Sequence, residues 1–283
     1  MAKTSGISWT HGTWNPWLGC DKVAPECAKC YIDRMLRKQH RAPWGTLYLT
    51  KTWGEPAKWQ AELKPKRRAM RVFTCSESDF FHAKADAWRS DAWAVIRSTP
   101  NLVYLILTKR PERIARHLPP DWPYPNVWLG VSTGCKQTLN KMDMLRRIPI
   151  HPEAVRWISA EPLLESLVPE INLDGFGWVV AGGESGSGAE YQWDRTGNWR
   201  KEFSTGGRRY MAIEWAEQLR DACQARNIPF LFKQATAPQS GMGTNLLGRI
   251  WHEFPPAPSG LQWKMEKNEW TLVQIQEYKE RAA

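Results

Sequence analysis

The sequence predicts an α/β fold, a full or partial parallel βα barrel of six or seven strands, and three observations predict it. Six compact β-rich runs alternate with stripes of helical period, the pattern of parallel strand–helix units. Nearly every run ends in a polar or charged cluster, as strands do when their ends share one mouth of a barrel. The 283 residues, 42% of them hydrophobic, suffice for one large domain with a substantial core. That domain is expected over residues 1–255, with a charged helical tail over 256–283.

A first strand is expected in Trp14 to Leu18, opening onto a loop, Gly19 to Cys30, that carries three thiols. Behind it, Tyr31, Met35 and Leu36 beside Arg34, Arg37 and Lys38 predict a short helix whose positive N-terminal end suits an anionic group. Residues 41–66, punctuated by Trp44, Gly45, Trp53, Gly54 and Pro56, read as an irregular connection with a short helix at Trp59 to Leu63. The later strand runs are Val72 to Ser76, Val103 to Thr108, Val127 to Ser132, Val155 to Ala160, Trp178 to Gly182 and Phe230 to Lys233. Between them lie the stripes Ala85, Trp88, Ala92, Val95, Ile96; then Ile114 and Leu118; then Leu139, Met142, Leu145, Ile148; and last Ile213, Ala216, Leu219, Cys223. Gly186 to Gly207 is longer than an ordinary connection and carries Arg195, Arg200 and Lys201, so it reads as a lid or substrate loop. Pro255, Pro256 and Pro258 end the alternation, and Lys264 to Ala283 follows as a tail with Trp270, Val273 and Tyr278 available for docking.

Cys20, Cys27 and Cys30 are crowded together, whereas Cys75, Cys135 and Cys223 are scattered. A disulfide framework asks for an even set in a small secreted chain, so three crowded thiols ask for a metal. An iron–sulfur cluster normally takes four cysteines, and three leave one coordination position for a substrate or cofactor. Zinc, with His11 or a carboxylate as fourth ligand, fits the same spacing. The triad alone leaves both readings open. The strand-end clusters supply further candidates: Ser76, Glu77, Ser78 and Asp79; Lys109 and Arg110; Ser132; Glu161; Gly182, Gly183 and Glu184; and Lys233. Cys75 and Cys135 also end strands, where a thiol is more often buried and inert than a hydrogen donor.

A net charge of +10 and a pI near 9.4 favour polyanionic partners, nucleic acid foremost. Eighteen tryptophans offer either stacking platforms for single strands or material for a core. The amino terminus has no apolar signal segment, and Leu102 to Leu107, the longest clean apolar run, is too short to span a bilayer. A cytoplasmic protein without a membrane partner is expected.

The blocks Ile7-Ser8-Trp9-Thr10, Thr13-Trp14-Asn15-Pro16, Gly19-Cys20, Cys27 and Cys30-Tyr31 resemble the phage-associated three-Cys-motif proteins. The likeness continues through Ser78-Asp79, Leu107 to Arg113, Pro125 to Ser132, Glu161-Pro162-Leu163-Leu164, Gly182 to Gly186, Phe232-Lys233-Gln234 and Trp251 to Pro255. That family looks like a divergent branch of the radical S-adenosylmethionine enzymes, of TIM-barrel type. The resemblance implies a four-iron four-sulfur cluster on Cys20, Cys27 and Cys30, whose open iron would chelate S-adenosylmethionine for reductive cleavage to a radical. Ser76, Glu77, Ser78 and Asp79 are then expected at the methionine amine. Gly182, Gly183 and Glu184, which come several strands later than the family's amine-binding sequence, are expected near adenosine or ribose, with Ser132 in the same cofactor-binding group. Lys109, Glu161 and Lys233 are expected to be catalytic. Arg110, Arg195, Arg200 and Lys201 are expected to hold nucleic acid or another anionic substrate.

Four departures stand out. Six residues separate the first two cysteines instead of three, and Lys29 precedes the third where an aromatic is usual. His11 stands where an acidic residue is expected, and Gly134-Cys135 where a Glu-Asn pair is expected. The function so implied is a radical enzyme acting on nucleic acid, in base modification or photoproduct repair. It would need an electron donor and leaves room for a partner protein. The alternative is a non-catalytic iron–sulfur or zinc protein that binds nucleic acid.

Overall fold

The computed structural model describes residues 5–32, 45–185, 209–237 and 240–264, with backbone alone at 191–193 and 199–201. The predicted helix beyond Ile32, the side chains of Arg195, Arg200 and Lys201, and the tail from 265 onward lie outside the described residues.

Seven parallel strands form one half-barrel sheet in sequence order: β1 (Gly12–Trp14), β2 (Arg68–Thr74), β3 (Leu102–Thr108), β4 (Val127–Ser132), β5 (Arg156–Ala160), β6 (Trp178–Gly182) and β7 (Phe230–Gln234). Every neighbouring pair is parallel, so all the strand ends carrying the polar clusters open on the same edge. The first strand sits earlier than the expected Trp14 to Leu18. Pro16 cannot donate to a ladder, so β1 stops at Trp14, and Trp17–Leu18 pairs instead with Tyr48–Leu49 in an antiparallel ribbon.

Helices α1 (Glu55–Leu63), α2 (Asp86–Ser98), α3 (Asn140–Arg146) and α4 (Ile213–Gln224) cover the outer face. Their apolar stripes, among them Trp93, Ile96, Met142, Leu145, Leu219 and Cys223, pack against outward residues such as Val72, Tyr104, Leu129 and Phe230. The stripe at Ile114 and Leu118 forms no α-helix. Pro111 starts a pair of short 3₁₀ turns there, Pro111–Arg113 and Ala115–His117.

The inner face is filled by tryptophan. Trp9, Trp128, Trp157 and Trp178 form a second core with Val103, Leu105, Val180 and Leu231. Trp157 lies over Gly130, where an added Cβ would come 2.4 Å from the indole. None of the tryptophans with a described side chain is exposed. For the described tryptophans the stacking-platform reading is therefore corrected in favour of the core: burying an aromatic ring inside the barrel stabilises the fold by about 1.5–3 kcal/mol relative to leaving it in water. At the far end, Gln262–Trp263 pairs with Arg68–Ala69 and extends the edge that β1 occupies. There the Arg71 guanidinium sits over both Phe254 (3.9 Å) and Trp263 (4.8 Å).

Candidate metal centre

The thiol loop leaves β1 through Gly19, whose φ of +102° and close approach to the Thr46 carbonyl admit only glycine. Its N–H donates to Glu77 O (3.1 Å), while its carbonyl accepts from the Ser78 hydroxyl. Cys20 is thereby fixed to the end of β2. A 3₁₀ turn, Pro25–Cys27, then carries the second thiol, and the Cys30 N–H donates to Cys27 O (3.2 Å). None of the three thiols is in a disulfide, and all line one cavity at the carboxyl edge of the sheet. Burial, with Asp79 nearby, pushes the Cys20 thiol up to about 12.

Lys109, Arg110, Glu161 and Lys233 line the same cavity. Arg110, two residues past β3, reaches three partners: Asp79 Oδ2 (3.3 Å), the Asp21 carboxylate and Cys20 Sγ (3.9 Å). Burial works against the Lys109 ammonium, but Cys27, Cys30, Glu26 and Asp79 outweigh it, and its pKa rises. Glu161 and Lys233 pair at 2.9 Å, linking the ends of β5 and β7. Ser159 donates to Glu161 Oε2 (3.2 Å) and Ser132 to Glu161 O (3.1 Å).

Other expected residues are engaged differently. Asp79 accepts from Phe81 N, Thr108 Oγ1, Lys109 N and Arg110, so its carboxylate fixes the turn that presents the two cations. Ser76 exchanges hydrogen bonds with the Asn15 amide, and the Glu77 N–H donates to the same side chain. Gly182 and Gly183 lie against Gln234 and Thr236, where a Cβ on Gly183 would come 2.3 Å from Thr236 N. Glu184 pairs with Arg209 at 2.8 Å, outside the cavity lining. His11 lies ahead of β1, accepting at Nδ1 from Arg71 N (2.9 Å), and takes no place beside the cysteines. The zinc reading thus loses its named histidine ligand.

Sequence reasoning singled out neither Glu26 nor Arg209 as a site residue. Glu26, buried beside Cys27, accepts from Gly134 N (2.9 Å) and Thr138 Oγ1 (2.6 Å) across the mouth. Burial raises its pKa, but these bonds and Lys141 outweigh that and hold the carboxyl below its ordinary value. A glutamate flanked by cysteine in a Pro-started turn was the only available signal. Arg209, next to Arg208 in a chain of net charge +10, carries only its basicity as a signal, and the fold directs it to Glu184 and the Cys27 turn.

Three thiols outside any disulfide on one cavity, flanked by Lys109 and Arg110, fit an anionic iron–sulfur cluster that keeps one coordination position open. Among the described residues, no three His, Cys, Asp or Glu side chains are gathered around a single-ion site. No helix among the described residues is long and apolar enough to cross a membrane.

The fold and site together define a parallel half-barrel α/β protein with a thiol-lined mouth. The chain belongs to the family described as "Protein of unknown function (DUF5131)", whose model matches residues 4–255. No curated protein matches it. Three solved structures are similar in fold. A spore photoproduct lyase double mutant with bound AdoMet and dinucleoside spore photoproduct shares 12% identity over 75% of this chain and 71% of that one, at a TM-score of 0.41. Spore photoproduct lyase complexed with the dinucleoside spore photoproduct shares 13%, over 74% and 71%, at 0.42. A point mutant of the same enzyme shares 11%, over 78% and 74%, at 0.43.

Proposed function

We propose that this protein is a radical S-adenosylmethionine enzyme acting on nucleic acid, with a four-iron four-sulfur cluster held by Cys20, Cys27 and Cys30. The observation that carries the reading is the placement of Cys20, Cys27 and Cys30, none of them in a disulfide, with Lys109 and Arg110 on one cavity at the carboxyl edge of a parallel sheet. When bound, the cluster and S-adenosylmethionine supply reductive cleavage of the sulfonium and a radical that abstracts hydrogen. The protein's own part is positional and electrostatic. Arg110 neutralises charge at Cys20, and Lys109 does so at Cys27 and Cys30. The Glu161–Lys233 pair presents an anion and a cation 2.9 Å apart, suited to a ligand bearing both an amino and a carboxylate group. Exposed Lys22 and Lys29 on the rim, within a chain of net charge +10, suit a phosphate backbone.

The test is iron and acid-labile sulfide per chain after anaerobic preparation, followed by deoxyadenosine release from S-adenosylmethionine under a chemical reductant. About four of each is expected, with Cys27→Ala losing cluster and cleavage together. Stoichiometric zinc without sulfide, or cleavage unchanged in Cys27→Ala, sinks the proposal.

A further inference from the structure

The two ends of the thiol loop are fixed to different strands. Cys20 is tied to the end of β2, as described above. The Cys27 turn is tied to the other side of the mouth, where Arg209 Nη1 donates to Pro25 O (2.8 Å) and Nη2 to Glu26 O (3.4 Å). The same guanidinium pairs with Glu184 Oε1 (2.8 Å), and Glu184 Oε2 accepts the Arg209 backbone N–H (2.8 Å). Glu184, two residues past β6 and only 6% exposed, is thus fully engaged in orienting that arginine. A planar fork that satisfies a carboxylate and two carbonyls at once is a task for arginine, not for lysine.

We propose that Glu184 and Arg209 are positioning residues that lock the Cys27 turn to β6 and so set the placement of the second thiol relative to the first. The six-residue spacing between Cys20 and Cys27 leaves that turn to be placed from outside the loop, and the lock does so on its backbone carbonyls, alongside the Glu26 side-chain bonds to Gly134 and Thr138. Its consequence for cluster retention rests on the function proposed above, whereas the lock itself rests on the hydrogen bonds alone. Neither residue touches the cavity, so neither is a cofactor ligand in this reading.

The test uses the full-length chain as wild type, Arg209→Ala and Arg209→Lys. Metal-stripped protein is labelled with iodoacetamide and the rates at Cys27 and at Cys223, a thiol buried on α4, are read by peptide mass spectrometry. Cys27 labelling about tenfold faster in Arg209→Ala, intermediate in Arg209→Lys and with Cys223 unchanged, is the expected result. In reconstituted protein, chelator-driven bleaching of the cluster absorbance should accelerate in the same order. An unchanged Cys27 rate in Arg209→Ala overturns the proposal. Equal acceleration at Cys27 and Cys223 in both variants also overturns it, because the pair would then hold the whole fold. If wild type takes up no iron and sulfide, the proposed function falls, yet the labelling rates still decide the lock.

Discussion

At Gly19 two constraints coincide: the backbone is left-handed, at φ +102°, and a Cβ would come 1.9 Å from the Thr46 carbonyl oxygen. Gly45, at φ +88°, carries only the first, since its nearest neighbour would be 3.9 Å away. Gly19→Ala should therefore cost about 3 kcal/mol and Gly45→Ala about 1 kcal/mol. Urea midpoints for the two variants check this, and equal losses would mean that the Thr46 contact yields easily. A similar argument explains one departure from the three-Cys pattern. A Cβ at Gly134 would come 1.9 Å from Pro162 O and 3.3 Å from Glu26 Cγ, so the place where a glutamate is expected is closed. The carboxylate found there belongs to Glu26, arriving from the thiol loop.

At the scale of elements, the strap from Trp251 to Lys264 closes the barrel end opposite the thiols. His252 bridges to Leu231 within it, and burial followed by the nearby Arg71 lowers its pKa to about 4. The same two causes, in the same order, lower His11 to about 3. Both imidazoles are therefore neutral in the fold while the unfolded chain binds protons from about pH 6.5 downward. Since the unfolded state then holds more protons, stability must fall as pH drops below about 6.5, the His252 contribution levelling off below about 4 and that of His11 below about 3. The loss from His252 is roughly 3 kcal/mol. Urea midpoints from pH 7.5 to 4 should show a shallower decline in His252→Gln than in wild type, and an unchanged slope would refute the assignment. The alternation of runs and stripes made most elements legible. Pro16 accounts for the strand that moved, because a missing N–H ends a ladder, while the Ile114 and Leu118 stripe is bounded by Pro111 and by Pro119-Pro120 and has room only for two 3₁₀ turns.

Over the whole molecule, the interior is an aromatic stack in which Trp9, Trp157 and Trp178 lie 5.4–6.2 Å apart, ring centre to ring centre. Trp157→Ala should cost about 3–5 kcal/mol, the usual penalty for emptying a site of that size. Gly130→Ala should destabilise as well, since the added methyl would meet the Trp157 ring at 2.4 Å. Guanidinium unfolding followed by circular dichroism measures both, and a loss under 1 kcal/mol for Trp157→Ala would show that the stack collapses freely around the gap.

By itself the sequence determined the class of fold, the edge of the sheet where the site lies and the crowding of three thiols. Those features are local, resting on period, on strand ends and on spacing within a single loop. What only the tertiary structure decided is which charged groups face one another. Glu26 meets Thr138 across 112 residues of chain, and Arg209 meets Pro25 across 184. The direction of Trp157 was decided in the same way, inward over Gly130 and away from solvent. Such partners are chosen by how far the sheet curls and by which strand ends that curl brings together, a property of the closed fold that no window of sequence contains.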